Sequence, residues 1–454
     1  MAVGADDVGS GFGSWGGRLA RKSGDVAMSH KGVDMCAVPC GDASVGEKIR
    51  KWLASQEKEN VESFGYPQRL AAFHKLSRAM LMRDVKLDGL VHLSGAAFLA
   101  SFLDGAHLES LIRREIPHTD ALERFVRIEE RKSIRLVRRG TVCHWLAGNV
   151  PLLGAFSWAL SALVGNRNIL RLSSRQDDVV TPIMDVLSDL DTVGRRIAAE
   201  TLVVRFDRDD SEGHRAMSQN ADVRIAWGGR EAIETVRSLP CPWHCEDVLM
   251  GPRASIAVID AASITEGAIG RLATDVVFFD QMACSSPQLL FVRGRPGHDA
   301  FDRFLDQFSS AIASQSGAYR RHRLDASETY QIELDRARVV LSGGELRRDA
   351  NTQWTIALVS CPVRGVVGMN RFVQVVPFES FRAIWEFFPA NLQTCIVQLG
   401  ATDLVDFTER AALLGVCRFP LPGEGNHFEV PWDGSLLVSR FLRWVTRTDP
   451  APAP

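Results

Sequence analysis

The chain has 454 residues, 46% hydrophobic and 24% charged, with a formal net charge of −2. That length exceeds one simple core and calls for two or three domains. The near-neutral charge gives no electrostatic ground for nucleic acid or an anionic membrane as main partner. Nine cysteines, an odd number without framework spacing, argue for free thiols in a reducing compartment, hence a cytoplasmic protein.

In chain order, residues 1–45 are rich in Gly, Ser and Asp and contain no apolar signal-peptide core. They read as a flexible leader, or as sequence upstream of the real start. From about Glu47 to Pro117 apolar residues recur at three- and four-residue spacing, as in IRKWLASQ, RLAAFHKLSRAML and LIRREI, which predicts helices. Short β-branched runs then alternate with helices. The expected strands are 141–146, 168–172, 201–206, 222–227 and 255–260, with helices opening near Pro151, Thr181, Ser211 and Gly229. A second series, QLLFV, TIALVS, RFVQVV and TCIVQL, follows Cys284. Such alternation implies parallel sheets covered by helices, here two tandem α/β domains after a helical section. The longest apolar stretch, 150-VPLLGAFSWALSALVG-165, falls short of the roughly 20 residues of a membrane span and reads as a buried helix.

Four stretches could carry chemistry. In 144-HWLAGNVPLLG-154 a strand ends and Pro151 stands where a helix opens. Asn149 fits a helix N-cap, and equally an amide facing the cleft at the sheet's carboxyl end. In 222-DVRIAWGGREAIE-234 a strand passes through Gly228-Gly229 into a helix. This is a plain tight turn or a phosphate-binding helix start. In 168-NILRLSSRQD-177 a strand ends in Arg171, followed by Ser173, Ser174 and Arg175. Beside a nucleotide such a cluster suits the extra phosphate of NADP; otherwise it is a solvated strand end. The fourth is 278-FFDQMACSSPQLLFV-292. Small polar residues and Pro287 around Cys284 suggest free backbone N–H groups that favour a thiolate, whereas Cys143, Cys361 and Cys395 read as packing residues. Cys241, His244 and Cys245 lack a second ligand pair, so no metal is expected.

Taken in order, these stretches, with 251-GPRASIAVID-260 and 431-PWDGSLLVSRFLRWV-445, resemble the LuxC-like acyl-CoA reductases of bacterial bioluminescence, a branch of the aldehyde dehydrogenase superfamily. The resemblance runs from about residue 50 to the end. It implies an aldehyde dehydrogenase-like fold: helices and a Rossmann-like NADP-binding domain over 46–262, a catalytic cysteine domain over 263–425 and a C-terminal segment over 426–454. It implies Cys284 as nucleophile and Asn149, with the Cys284 amide, as oxyanion hole. Gly228 and Gly229 would face the cofactor pyrophosphate, and Arg171, Ser173 and Ser174 the NADPH ribose phosphate. Hydrolytic members carry a Glu-Leu-Gly-Gly-Lys stretch whose glutamate activates water; the corresponding 248-VLMGPRAS-255 has Leu249 at or near that place. The expected activity is therefore NADPH-dependent reduction of an acyl thioester to aldehyde through a thioacyl-cysteine. The alternatives are aldehyde oxidation to acid and a non-catalytic subunit. The donor would be acyl-CoA, an acyl carrier protein or a partner acyl-protein synthetase, and a homo-oligomer is expected.

Overall fold

A computed structural model of the chain describes residues 44–58, 64–82, 95–146, 148, 152–172, 178–319, 321–366 and 368–450. The leader expected over 1–45 lies almost wholly outside the described residues, as does Pro151. Helices Val45–Lys58, Tyr66–Leu81, Ala96–Phe102 and Gly105–Glu115 occupy the section where apolar spacing predicted them. Their inward residues Phe73, Leu76, Leu108, Leu111 and Ile112 are fully buried, which is what makes short helices stable in a protein.

Next comes an element the sequence reading missed. Strands β1 (Val126–Glu129) and β2 (Lys132–Arg138) pair antiparallel, and the last strand, β14 (Leu442–Thr448), pairs antiparallel with β2 along its length. These strands are rich in Arg and Lys, and most of β14 is exposed. They therefore lack the apolar run of a strand covered on both faces.

The first parallel sheet has the order β5-β4-β3-β6-β7. Its strands are β3 (Thr141–Trp145), β4 (Arg167–Leu172), β5 (Thr201–Arg205), β6 (Val223–Trp227) and β7 (Glu246–Met250), and all its pairings are parallel. Both β3 and β6 are buried along their whole length, as strands covered on two faces must be. Helix Leu152–Leu163 is buried on nearly every side. No helix of the described residues is long and apolar enough to cross a membrane.

The second sheet runs β10-β11-β12-β9-β8-β13. It comprises β8 (Ala254–Asp260), β9 (Leu289–Arg293), β10 (Glu345–Arg348), β11 (Thr355–Leu358), β12 (Phe372–Phe378) and β13 (Leu392–Gln398), parallel except for the edge strand β10. Strand 255–260, expected to continue the first series, instead lies between β9 and β13 of the second sheet. The first sheet ends on β7, where Glu246 and Asp247 hide the strand signal. The chain crosses between sheets at Gly251–Arg253.

Candidate active site

From β3 the chain steps to β4 and β5 on one side, then returns to β6 and β7 on the other. The switch lies between β3 and β6, and open parallel sheets bind ligands beyond the carboxyl ends of the strands at such a point. Gly228 and Gly229 stand there, after β6. Gly229 is the N-cap of helix Arg230–Ser238, with extended backbone and no atom within 4 Å of where a Cβ would be. Free N–H groups at a helix start, with no side chain in the way, suit a phosphate. At the end of β4, Arg171 donates from Nη2 to the Phe206 carbonyl at 2.9 Å and lies over the Phe206 ring. Its Nε is buried without a hydrogen-bond partner, while His214 accepts from Trp145 at Nδ1 and is held by the Arg208 backbone. The buried, unpaired Arg171 nitrogen at this edge fits a polar ligand. Asn149, Ser173 and Ser174 lie outside the described residues.

Cys284 stands in the turn between a short 3₁₀ segment, Phe278–Gln281, and β9. Its carbonyl accepts from Ser255 Oγ at 2.6 Å. The next two residues, Ser285 and Ser286, donate to Oδ1 of buried Asn426 at 2.8 and 3.1 Å, and Asn426 Nδ2 donates to the Asp275 carbonyl at 2.9 Å. Asp275 in turn accepts the Gly423 and Gly425 amides at 2.6 and 3.1 Å. Burial lifts the Asp275 carboxyl to about 7 against the pull of those bonds. The loop 421–432 is thus tied across to the cysteine turn.

Cys284 is partly buried and packs against the large core cluster of the early helices and the first sheet, which also takes in Phe428 and Trp432. Gly95 (φ 98°) marks a convergence. A Cβ there would lie 2.6 Å from Leu152, 3.2 Å from Phe278 and 3.3 Å from Phe279. The opening of helix 152–163 and the 3₁₀ segment that leads to Cys284 therefore meet. Aromatic rings continue the wall: Phe102 on Phe156 (4.6 Å between centroids), Phe156 on Phe428 (5.3 Å) and Phe428 on Trp432 (4.7 Å).

The sequence context suggested a thiolate, but the structure does not. Burial, followed by the charge of Asp433, pushes the Cys284 thiol up to about 12, against opposing pulls from Arg418, its own amide and Arg253. Local sequence reveals the amides but not the apolar cluster against which the partly buried cysteine packs. Asp433 was missed as a site residue, although it lies within the quoted PWDGSLL stretch. It sits at φ 52° with its side chain 3% exposed, 3.6 Å from Arg253, and its Oδ1 has no hydrogen-bond partner. Burial raises its carboxyl as well. Arg418 is fixed by Glu429 at 2.9 Å and lies over Trp432. His144 is a core residue. Its ring nitrogens meet Ser157 and Asn168 at 3.0 Å each, and burial takes it down to about 4.

Residues 58–444 match the family model for acyl-CoA reductase (LuxC). The chain belongs to the LuxC family. It is 33% identical over 322 residues to a long-chain acyl-protein thioester reductase of Photobacterium phosphoreum, and 28% identical over 317 residues to that of Aliivibrio fischeri. Those matches take in 70% and 69% of this chain, but the chain spans only 64% of the length of each relative. Its fold is that of the aldehyde dehydrogenases. An NAD-dependent aldehyde dehydrogenase from Sinorhizobium meliloti superposes with a TM-score of 0.66 at 13% identity, over 90% of this chain and 88% of that one.

In this LuxC-family chain the carboxylates on β7 are engaged elsewhere. Glu246 pairs with Arg440 at 2.5 Å and Arg139 at 3.2 Å, and Asp247 grips Arg224 with two 2.6 Å hydrogen bonds. Both stand at the amino end of β7, away from the crevice, while Leu249 nearer its carboxyl end packs on the core beside Trp145.

Proposed function

We propose that the chain reduces an acyl thioester to the aldehyde, with Cys284 as the covalent nucleophile and NADPH as reductant. The observation that carries this reading is the braced cysteine turn packed on the core of the first sheet, together with the capture of Glu246 and Asp247 in ion pairs. A thiol placed in this way can take an acyl group, and neither acid of β7 is free to activate water against the thioacyl enzyme.

Cys284 attacks the thioester carbonyl and loses its proton as the carbon–sulfur bond forms, since a thiol near 12 is protonated beforehand. Charge gathers on the carbonyl oxygen, where the Cys284 amide and the Asn149 side chain would donate. Such donors are each worth about 3 kcal/mol in acyl transfer. The donor's thiolate departs and takes up a proton, leaving the acyl group on Cys284 as a thioester. Gly228, Gly229 and Arg171, with Ser173 and Ser174, would hold the dinucleotide. Bound NADPH supplies the hydride that reduces the thioester carbon. The resulting thiohemiacetal releases aldehyde as the carbon–sulfur bond breaks, and Cys284 recovers a proton. The printed names of the relatives support a long acyl chain.

The printed name of the relatives supports a donor that carries its acyl group on a protein, such as a partner synthetase, with acyl-CoA as the simpler form. We also propose a cytoplasmic homo-oligomer, with the cofactor and catalytic domains divided along the two parallel sheets. The test is a panel of acyl-CoA chain lengths with NADPH and with NADH, the aldehyde being trapped and identified. Aldehyde formed with NADPH in preference to NADH, and a preference lost on Arg171→Leu, are expected. Acid formed from aldehyde without any CoA requirement would overturn the reading.

A further inference from the structure

The approach to Cys284 contains a backbone arrangement that the proposed chemistry does not use. Phe279, Asp280 and Gln281 have φ of 54, 52 and 62°, three consecutive non-glycine residues in the left-handed region. Such residues are individually disfavoured and persist where the surroundings over-determine them. Gln281 is fully buried and donates from Nε2 to the Pro287 carbonyl at 2.8 Å, closing the turn across the cysteine.

Asp280 is held from two sides. Its Oδ1 accepts from Arg371 Nε at 2.8 Å and Nη2 at 2.6 Å, and its Oδ2 accepts from the His322 amide at 3.1 Å and meets His322 Nδ1 at 2.8 Å. Arg371 is 1% exposed and also left-handed (φ 62°). Its remaining donors go to the Ser316 and Tyr319 carbonyls, at 3.3 and 3.0 Å, at the end of helix Asp299–Ala318. His322 Nε2 meets Glu328 at 2.9 Å, at the start of helix Ala326–Leu341. One carboxylate thereby ties the turn to the end of one helix, the start of another and the approach to β12. None of these groups belongs to the nucleophile's own surroundings.

We infer that Arg371 and Asp280, with His322 as third member, are positioning residues for Cys284: they hold the left-handed turn 279–281 in the one conformation that sets the thiol in the crevice. The inference rests on Cys284 as the nucleophile. His322 makes the brace responsive to pH. Burial opposes its charge, but the bonds to Asp280 and Glu328 outweigh that and raise it above its ordinary 6.5. The other charged groups around it are Arg371, which shares Asp280, and Arg321, which acts on Asp280 and Glu328, with Arg323 and the N-cap Asp325 next in the chain. A protonated ring donates to both carboxylates and a neutral one to only one, so the brace is complete below the raised value and weakens as pH rises through it.

The test compares the full-length wild type with Asp280→Asn, Arg371→Met, Arg371→Lys and His322→Gln. Alkylation of the Cys284 peptide by iodoacetamide is followed by mass spectrometry from about pH 6 to about 9, beside kcat, KM for NADPH and the melting temperature. Expected are a rise of about tenfold in Cys284 alkylation in Asp280→Asn and Arg371→Met, equal to about one unit of relieved thiol shift, a matching fall in kcat with KM for NADPH unchanged, and partial rescue in Arg371→Lys. His322→Gln, at a part-exposed position, should remove a step above pH 6.5 from the wild-type alkylation profile. The same alkylation rate and profile in folded Asp280→Asn and His322→Gln as in the wild type would overturn the inference. If the buried-site variants do not fold, the profile of His322→Gln alone decides. A wild type whose Cys284 never takes an acyl group, yet whose alkylation responds as described, would overturn the functional reading and leave the brace standing.

Discussion

Titrating the reactivity of Cys284 separates a standing thiolate from a thiol activated only on attack. Burial, then Asp433, places the sulfur at about 12 against an ordinary 9.0. At pH 8 the thiolate fraction is then about one in ten thousand, where an ordinary thiol would have about one in ten, a rate difference of about 1000-fold for a reagent that attacks thiolate. The assay is competitive alkylation with iodoacetamide from about pH 7 to about 10, each cysteine peptide being quantified. The exposed Cys361 and Cys417 serve as internal references. Cys284 should gain at least about tenfold per pH unit without a plateau, the step from the His322 brace adding to that rise, and should trail both references throughout. A plateau below about pH 9, or labelling as fast as Cys361, would refute the argument that burial dominates this thiol.

Other outcomes follow from the same contacts. Asp433→Asn removes the negative charge that raises the thiol, so Cys284 alkylation at pH 8 should accelerate, with the slope against pH retained; a slower rate would contradict the sign. Gly229→Ala meets no neighbouring atom, so its melting temperature should match the wild type while KM for NADPH rises several-fold; an unchanged KM would remove this turn from the cofactor site. Asn426→Ala strips Ser285 and Ser286 of their shared acceptor and should cost about 1–3 kcal/mol of stability, read by denaturant unfolding, with kcat falling further than the residual fold explains.

The parts of this fold that were legible in the sequence are those where local pattern and burial agree. Strands β3, β4 and β6 are apolar runs because both faces are covered, and the early helices show their inner faces at helical spacing. β7 was not legible, because Glu246 and Asp247 interrupt the run and their charges are absorbed by Arg139, Arg440 and Arg224, residues distant in the chain. The sheet β1-β2-β14 joins segments some three hundred residues apart through register alone. At the site, Cys284 was visible from its own neighbours. Its protonation state was not, since Phe428, Trp432 and Asp433 arrive from the far end of the chain. Asn426 and Arg371 were invisible for the same reason: their partners near Cys284 are tertiary ones, and nothing beside them in sequence marks them.

The central claim is a covalent acyl group on Cys284 that waits for hydride. It is tested most directly by incubating the protein with a long-chain acyl-CoA without cofactor and mapping the adduct by mass spectrometry, then adding NADPH. An acyl thioester is expected on the Cys284 peptide, stable for longer than a turnover, absent in Cys284→Ala and discharged as aldehyde when NADPH is added. An adduct on another residue, or release of free acid before any reductant is present, would contradict it.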